Sequence, residues 1–87
     1  MNEMYIISFN STHHAIRTDK LLNEADIKST TLPTPREITA SCGISIRFLL
    51  DNLENIKDIV RSNKIEIKGI YKISKNLEGK KVVEVIE

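Results

Sequence analysis

One cysteine among 87 residues excludes an internal disulfide, leaves the thiol free, and fits a reducing compartment. With only three glycines, the chain has no Gly-rich loop to cradle a phosphate. A nucleophile elbow with Ser, His and Asp in order is absent, as is any zinc-ligand spacing. Charge of one sign is also missing. Thirteen Lys and Arg against twelve Asp and Glu give a net charge of +1, so the long-range field is weak. A dedicated nucleic-acid binder, which carries a basic patch, is therefore not expected. No apolar run approaches the roughly 20 residues that cross a bilayer. The start, Met1 to Phe9, has neither a basic n-region nor a small-residue cleavage site. The sequence leads us to expect a cytoplasmic protein with no membrane partner.

What is present suits one small folded unit. The hydrophobic fraction of 40% and charged fraction of 29% are ordinary for folded chains. A chain this short supports one core and not two, because small domains bury only about 60% of the surface that the unfolded chain exposes. We expect one domain over residues 1–73, with residues 74–87 as a turn and strand that extend it.

Local periodicity assigns the elements. Met4 to Phe9 is apolar on both alternating faces, as a strand inside a sheet requires. Ser11 or Thr12 offers a cap, and Ala15, Leu22 and Ala25, flanked by Ile16 and Leu21, repeat at helical spacing to about Ala25. Ile27 to Leu32 is rich in β-branched residues and stops at Pro33, which suggests an edge strand. Ile44, Ile46, Phe48 and Leu50 alternate with Ser45, Arg47 and Leu49, the clearest strand pattern in the chain. Asp51 and Glu54 form a capping-box pattern ahead of a second helix, from about Asn52 to Ser62, with the stripe Leu53, Ile56, Ile59 and Val60. Ile65, Ile67, Tyr71 and Ile73 mark a fourth strand, with Gly69 on its apolar side where something packs close to the backbone. Asn76 and Gly79 signal a turn, and Val82 to Ile86 is a last β-prone segment, suited to extending the sheet edge or pairing with another copy. The order βαββαβ predicts an α+β, ferredoxin-like two-layer sandwich: an antiparallel sheet with two helices on one face, plus a short C-terminal strand.

One connection is longer than a hairpin needs: Thr34-Pro35-Arg36-Glu37-Ile38-Thr39-Ala40-Ser41-Cys42-Gly43. Thr34 as N-cap, Pro35 at the first helical position and Glu37 completing a capping box predict one or two helical turns that stop at Gly43. Cys42 would then sit at a helix end beside a glycine that opens the backbone to a ligand. A helix C-terminus disfavours a thiolate, and Arg36 or Arg47 offsets this only if the fold brings it near. Taken alone, a free cysteine reads first as a small buried hydrophobe. Ser41, Gly43 and the loop position shift the reading toward function.

The runs Tyr5-Ile6-Ile7-Ser8-Phe9, Ser11-Thr12-His13 with Leu21-Leu22, Pro33-Thr34-Pro35-Arg36-Glu37-Ile38 and Ser41-Cys42-Gly43-Ile44 resemble a bacterial family described as selenium/sulfur carrier-like. The resemblance covers about Met4 to Ile73. It implies a carrier, rather than a stand-alone catalyst, that holds sulfur as a persulfide on Cys42, or selenium in the analogous form. Protein donors and acceptors would be its partners, and no cofactor is implied. Arg36, Ser41, Gly43 and His13 are the candidate binding residues around Cys42.

Other features carry less. His13 and His14 project about 100° apart on a helix, whereas metal ligands come at spacings of three or four, so no metal site is expected. His13 stands where helix N–H groups are unpaired and suit an anion. Arg17, Asp19, Lys20, Lys57, Asp58 and Arg61 read as solvated helix faces. A rival reading is a ligand-sensing or assembly module, a homodimer through a sheet edge or the C-terminal strand, with Cys42 structural.

Overall fold

The computed structural model describes residues 3–35, 38 and 43–87. Its elements are β1 (Met4–Phe9), α1 (Thr12–Glu24), β2 (Ser29–Pro33), β3 (Ile44–Phe48), α2 (Leu53–Ser62), β4 (Ile67–Lys75) and β5 (Lys81–Val85). They form one five-stranded sheet in the order β2-β3-β1-β4-β5, every neighbouring pair antiparallel. The C-terminal segment thus extends the sheet beside β4. β2 is an edge strand, as its closing proline requires.

β1 lies between β3 and β4, which is why both of its faces are apolar. Ile7 and Phe9 join Ile46, Phe48 and Ile70 on one face, and Ala15, Leu22, Ile56 and Val60 from the helices close over them. Both helices therefore cover the same face. Thr18 lies buried within α1, its hydroxyl donating to the His14 carbonyl at 2.8 Å.

The opposite face has its own smaller cluster. Ile6 and Ile73 are covered there by Ile38, which is only 5% exposed, with Met4, Leu32, Tyr71 and Val83 around them. Ile38 belongs to the long connection between β2 and β3, so that connection supplies cover on the side that lacks a helix. Ile38→Ala is expected to cost about 2–3 kcal/mol, the lost transfer energy plus a residual cavity. Urea unfolding checks this, and a change below roughly 0.5 kcal/mol would contradict it.

The helix ends depart from sequence expectation in an informative way. Both close with the same motif, and neither uses glycine. Asp26 has φ 59° and Lys64 has φ 53°. The amide of Ile27 donates to Leu22 O at 2.9 Å, and that of Ile65 to Val60 O at 3.0 Å. Asp26 N–H to Asn23 O and Lys64 N–H to Arg61 O complete two Schellman closures. Ile27 and Ile65 are thereby turned into the core and spent on the caps. For that reason β2 starts at Ser29 and β4 at Ile67, two residues later than periodicity alone suggests. Because a left-handed conformation is costly for a side-chain-bearing residue, Lys64→Gly is expected to stabilise the protein by about 0.5–1 kcal/mol, read as a raised urea midpoint.

The capping box expected from Asp51 and Glu54 does not form. A 3₁₀ turn, Leu50–Asn52, intervenes, and Asn52 caps α2 without a side-chain bond. At Gly69, a Cβ would lie 2.8 Å from the Tyr71 hydroxyl oxygen, so the close-packing group is the strand's own tyrosine. The Asn76–Lys80 turn forms as expected. Asn76 Oδ1 accepts from the amides of Glu78 and Lys80 at 2.9 and 3.0 Å, and Gly79 takes φ +80°.

The chain end is tied back as well. Ile86 N–H donates to Ile70 O at 2.7 Å, and Lys57 bridges Glu87 at 3.0 Å and Glu54 at 3.6 Å. The hydrogen bond to Glu87 holds the Lys57 ammonium above the ordinary lysine range, outweighing the desolvation that opposes it. Because the lysine pKa is raised, this tether is complete at neutral pH and, on the alkaline side, is lost as pH rises through the raised value.

Candidate functional site

The ends of the Thr34–Gly43 segment are clamped. Pro33 pairs with Ile44 in the β2/β3 ladder, and just beyond it Thr34 N–H donates to Gly43 O at 2.9 Å. The Thr34 and Ser45 hydroxyls share a hydrogen bond of 2.8 Å. Within the segment, Ile38 N–H donates to Pro35 O at 3.0 Å. Arg36, Glu37, Ser41 and Cys42 lie outside the described residues, and with them most of the helical turn expected there.

Gly43, the residue bonded to Cys42, is described and exposed. Among the described residues, a Cβ on it would meet nothing within 4 Å, so its backbone faces open space. It does not have the positive φ of a glycine helix stop; the chain bends there and β3 begins at the next residue. Gly43 lines a cleft of about 470 Å³ between α1 and the edge of the sheet. Ala15, Ile16 and Asp19 form the helix wall, and β2 residues 31–33 with Ile44 form the sheet wall.

Two of these residues carry more than their sequence pattern suggested. Ile16 is an apolar side chain 61% exposed at the cleft, although in the helical stripe it reads as core flank. Asp19 reads as a solvated charge but is half-buried, with Asn23 Nδ2 donating to it at 3.5 Å. Only the packing of α1 against β2 distinguishes them from their neighbours. On the other face of the sheet, Ser8 stands opposite Ser45, and its buried Oγ has no hydrogen-bond partner among the described residues.

The remaining candidates lie apart from the cleft. His13 is exposed in the first turn of α1, its ring edge-on to His14 at 6.0 Å, and it does not line the cleft. Ser11 caps that helix, accepting from His14 N–H at 3.4 Å. Arg47 is four residues along β3 from Gly43 and lines a different cavity, so it is not a cleft residue. Among the described residues no group of three metal-ligating side chains occurs, and no helix is long and apolar enough to cross a membrane.

Residues 4–72 match a protein-family model described as "Putative Se/S carrier protein-like". The chain belongs to this family. The span shared with the Se/S carrier-like family runs from β1 well into β4 and includes the whole Thr34–Gly43 segment, with Cys42, while β5 falls beyond it. No curated protein and no solved structure matches the chain.

Proposed function

We propose that this member of the Se/S carrier-like family holds sulfur, or selenium in the analogous form, on Cys42 and hands it to a partner protein. The observation that carries the reading is that the family match encloses the one segment holding the chain's only cysteine. The clamp at Thr34 and Gly43 and the open cleft beside Gly43 support it, since a carrier needs a fixed platform and an approach for its partners.

The chemistry requires nothing beyond the partners. The Cys42 thiolate attacks the outer sulfur of a donor's persulfide, a new S–S bond forms, and the donor's thiolate leaves. Delivery is the reverse exchange. An acceptor nucleophile takes the outer sulfur and the Cys42 thiolate departs, so no net electrons enter or leave across the cycle. Donor and acceptor supply the acid and base, which accounts for a carrier without a catalytic dyad. Within this reading Arg36, Ser41 and Gly43 are the binding residues for the loaded sulfur, and His13 serves an approaching anionic group. A reducing, cytoplasmic setting suits a free thiol. We also read the β2-β3-β1-β4 part with its two helices as a ferredoxin-like plan, with residues 74–87 as an extension of one domain.

The test is intact mass after incubation with a cysteine desulfurase and cysteine. One sulfur atom is expected on the protein, released by a reductant. A protein that stays unmodified under conditions that load a known acceptor would overturn the proposal.

A further inference from the structure

At the end of the sheet where β1 begins and β4 ends, the face without helices holds a hollow of about 300 Å³. Arg47, Lys75 and Lys81 line it, over a floor that includes Met4 and Ile73. Strand alternation puts these side chains on one face: Arg47 is opposite Ile6, and Lys75 follows Ile73 by two.

Lys75 and Lys81 are directly opposed across the β4/β5 ladder. Like charges in that position destabilise a sheet. Among the described residues none of the three cations has an ion-pair partner. Glu3 also lines the hollow, but its carboxylate is engaged by Lys72 at 2.9 Å. In a chain whose net charge is only +1, three cations without an ion-pair partner among the described residues stand at one hollow.

We propose that this hollow binds a small organic phosphate, with its dianionic head among Arg47, Lys75 and Lys81 and its apolar stem on Met4 and Ile73. A phosphate monoester carries close to two negative charges at neutral pH, which offsets the opposed lysines better than a carboxylate does. The planar guanidinium of Arg47 suits paired phosphate oxygens, and the lysines act as point charges. The volume is at the small end of the range for ligand sites, which favours a compact ligand. Arg47 lies roughly 13 Å along β3 from Gly43, and the hollow shares no lining residue with the cleft at Gly43, so the proposal does not depend on the carrier reading.

The experiment is a titration at constant ionic strength with three probes: phenyl phosphate, inorganic phosphate and benzoate. Thermal midpoint and NMR shifts of the Ile73 methyls and the Arg47 and Lys75 amides are the readouts. Phenyl phosphate is expected to give saturable shifts at these residues and to raise the midpoint, inorganic phosphate to bind more weakly, and benzoate weakest. Lys81→Glu is expected to raise the midpoint without ligand, because the opposed pair becomes one of unlike charge, and to weaken phenyl phosphate about tenfold or more. Arg47→Gln is expected to leave the unliganded midpoint nearly unchanged and weaken binding similarly. Absence of saturation with phenyl phosphate, undiminished binding in both variants, or benzoate binding as tightly as phenyl phosphate would each overturn the proposal.

Discussion

Cys42→Ser is expected to abolish the sulfur adduct completely while changing stability by no more than about 0.5 kcal/mol. The two parts of this result separate the competing accounts of the thiol. Serine keeps the size and a polar atom but has neither the low pKa nor the sulfur–sulfur bonding that exchange requires, so loading has no second site in a chain with one cysteine. If the thiol were a buried hydrophobe, the same change would place a hydroxyl in an apolar setting. Melting would then fall by an amount worth about 1–3 kcal/mol, and the wild-type thiol would resist alkylation. That combination would end the carrier proposal. Loss of loading with unchanged melting and rapid alkylation would support it.

The largest stability effect is expected at Phe9. It is fully buried at the end of the central strand, within the cluster to which both helices contribute. Phe9→Ala removes a ring from a site surrounded by elements fixed on both sides, so the cavity collapses little and the cost is about 3–5 kcal/mol. A domain of this size has only about 5–10 kcal/mol to lose. The variant should therefore unfold at much lower urea, with far-UV circular dichroism and near-UV signals lost together. A loss below about 1.5 kcal/mol would mean that the helices do not close over β1 as described. Ile38→Ala makes a useful contrast, because it opens the face without helices and leaves the Phe9 cluster intact.

The central position of β1 was legible in its two apolar faces, and the edge position of β2 in its proline. The amphipathic stripes of both helices and the alternation of β3 were legible for the same reason: each is a local period that burial on one face imposes. The helix ends were not. Asp26 and Lys64 occupy left-handed positions that sequence reading reserves for glycine, and they are held there because Ile27 and Ile65 gain burial in the core. Asp51 and Glu54 fit a capping pattern that a 3₁₀ turn forestalls. Of the candidate site, the thiol and the exceptional length of its segment were visible in the sequence. The cleft that Gly43 shares with Ile16 and Asp19 was not, since it arises from two elements far apart in the chain.

By itself, then, the sequence determined which segments are strands and helices, that a single thiol is present, and that no long-range charge dominates. These follow from nearest neighbours along the chain, where side-chain period and residue chemistry act directly. The tertiary structure alone decided that Ile38 covers the helix-free face and that Gly43 opens onto a cleft. It also brought Arg47, Lys75 and Lys81 around one hollow. Those juxtapositions depend on strand order and register, which are settled by long-range packing between residues that no local pattern connects.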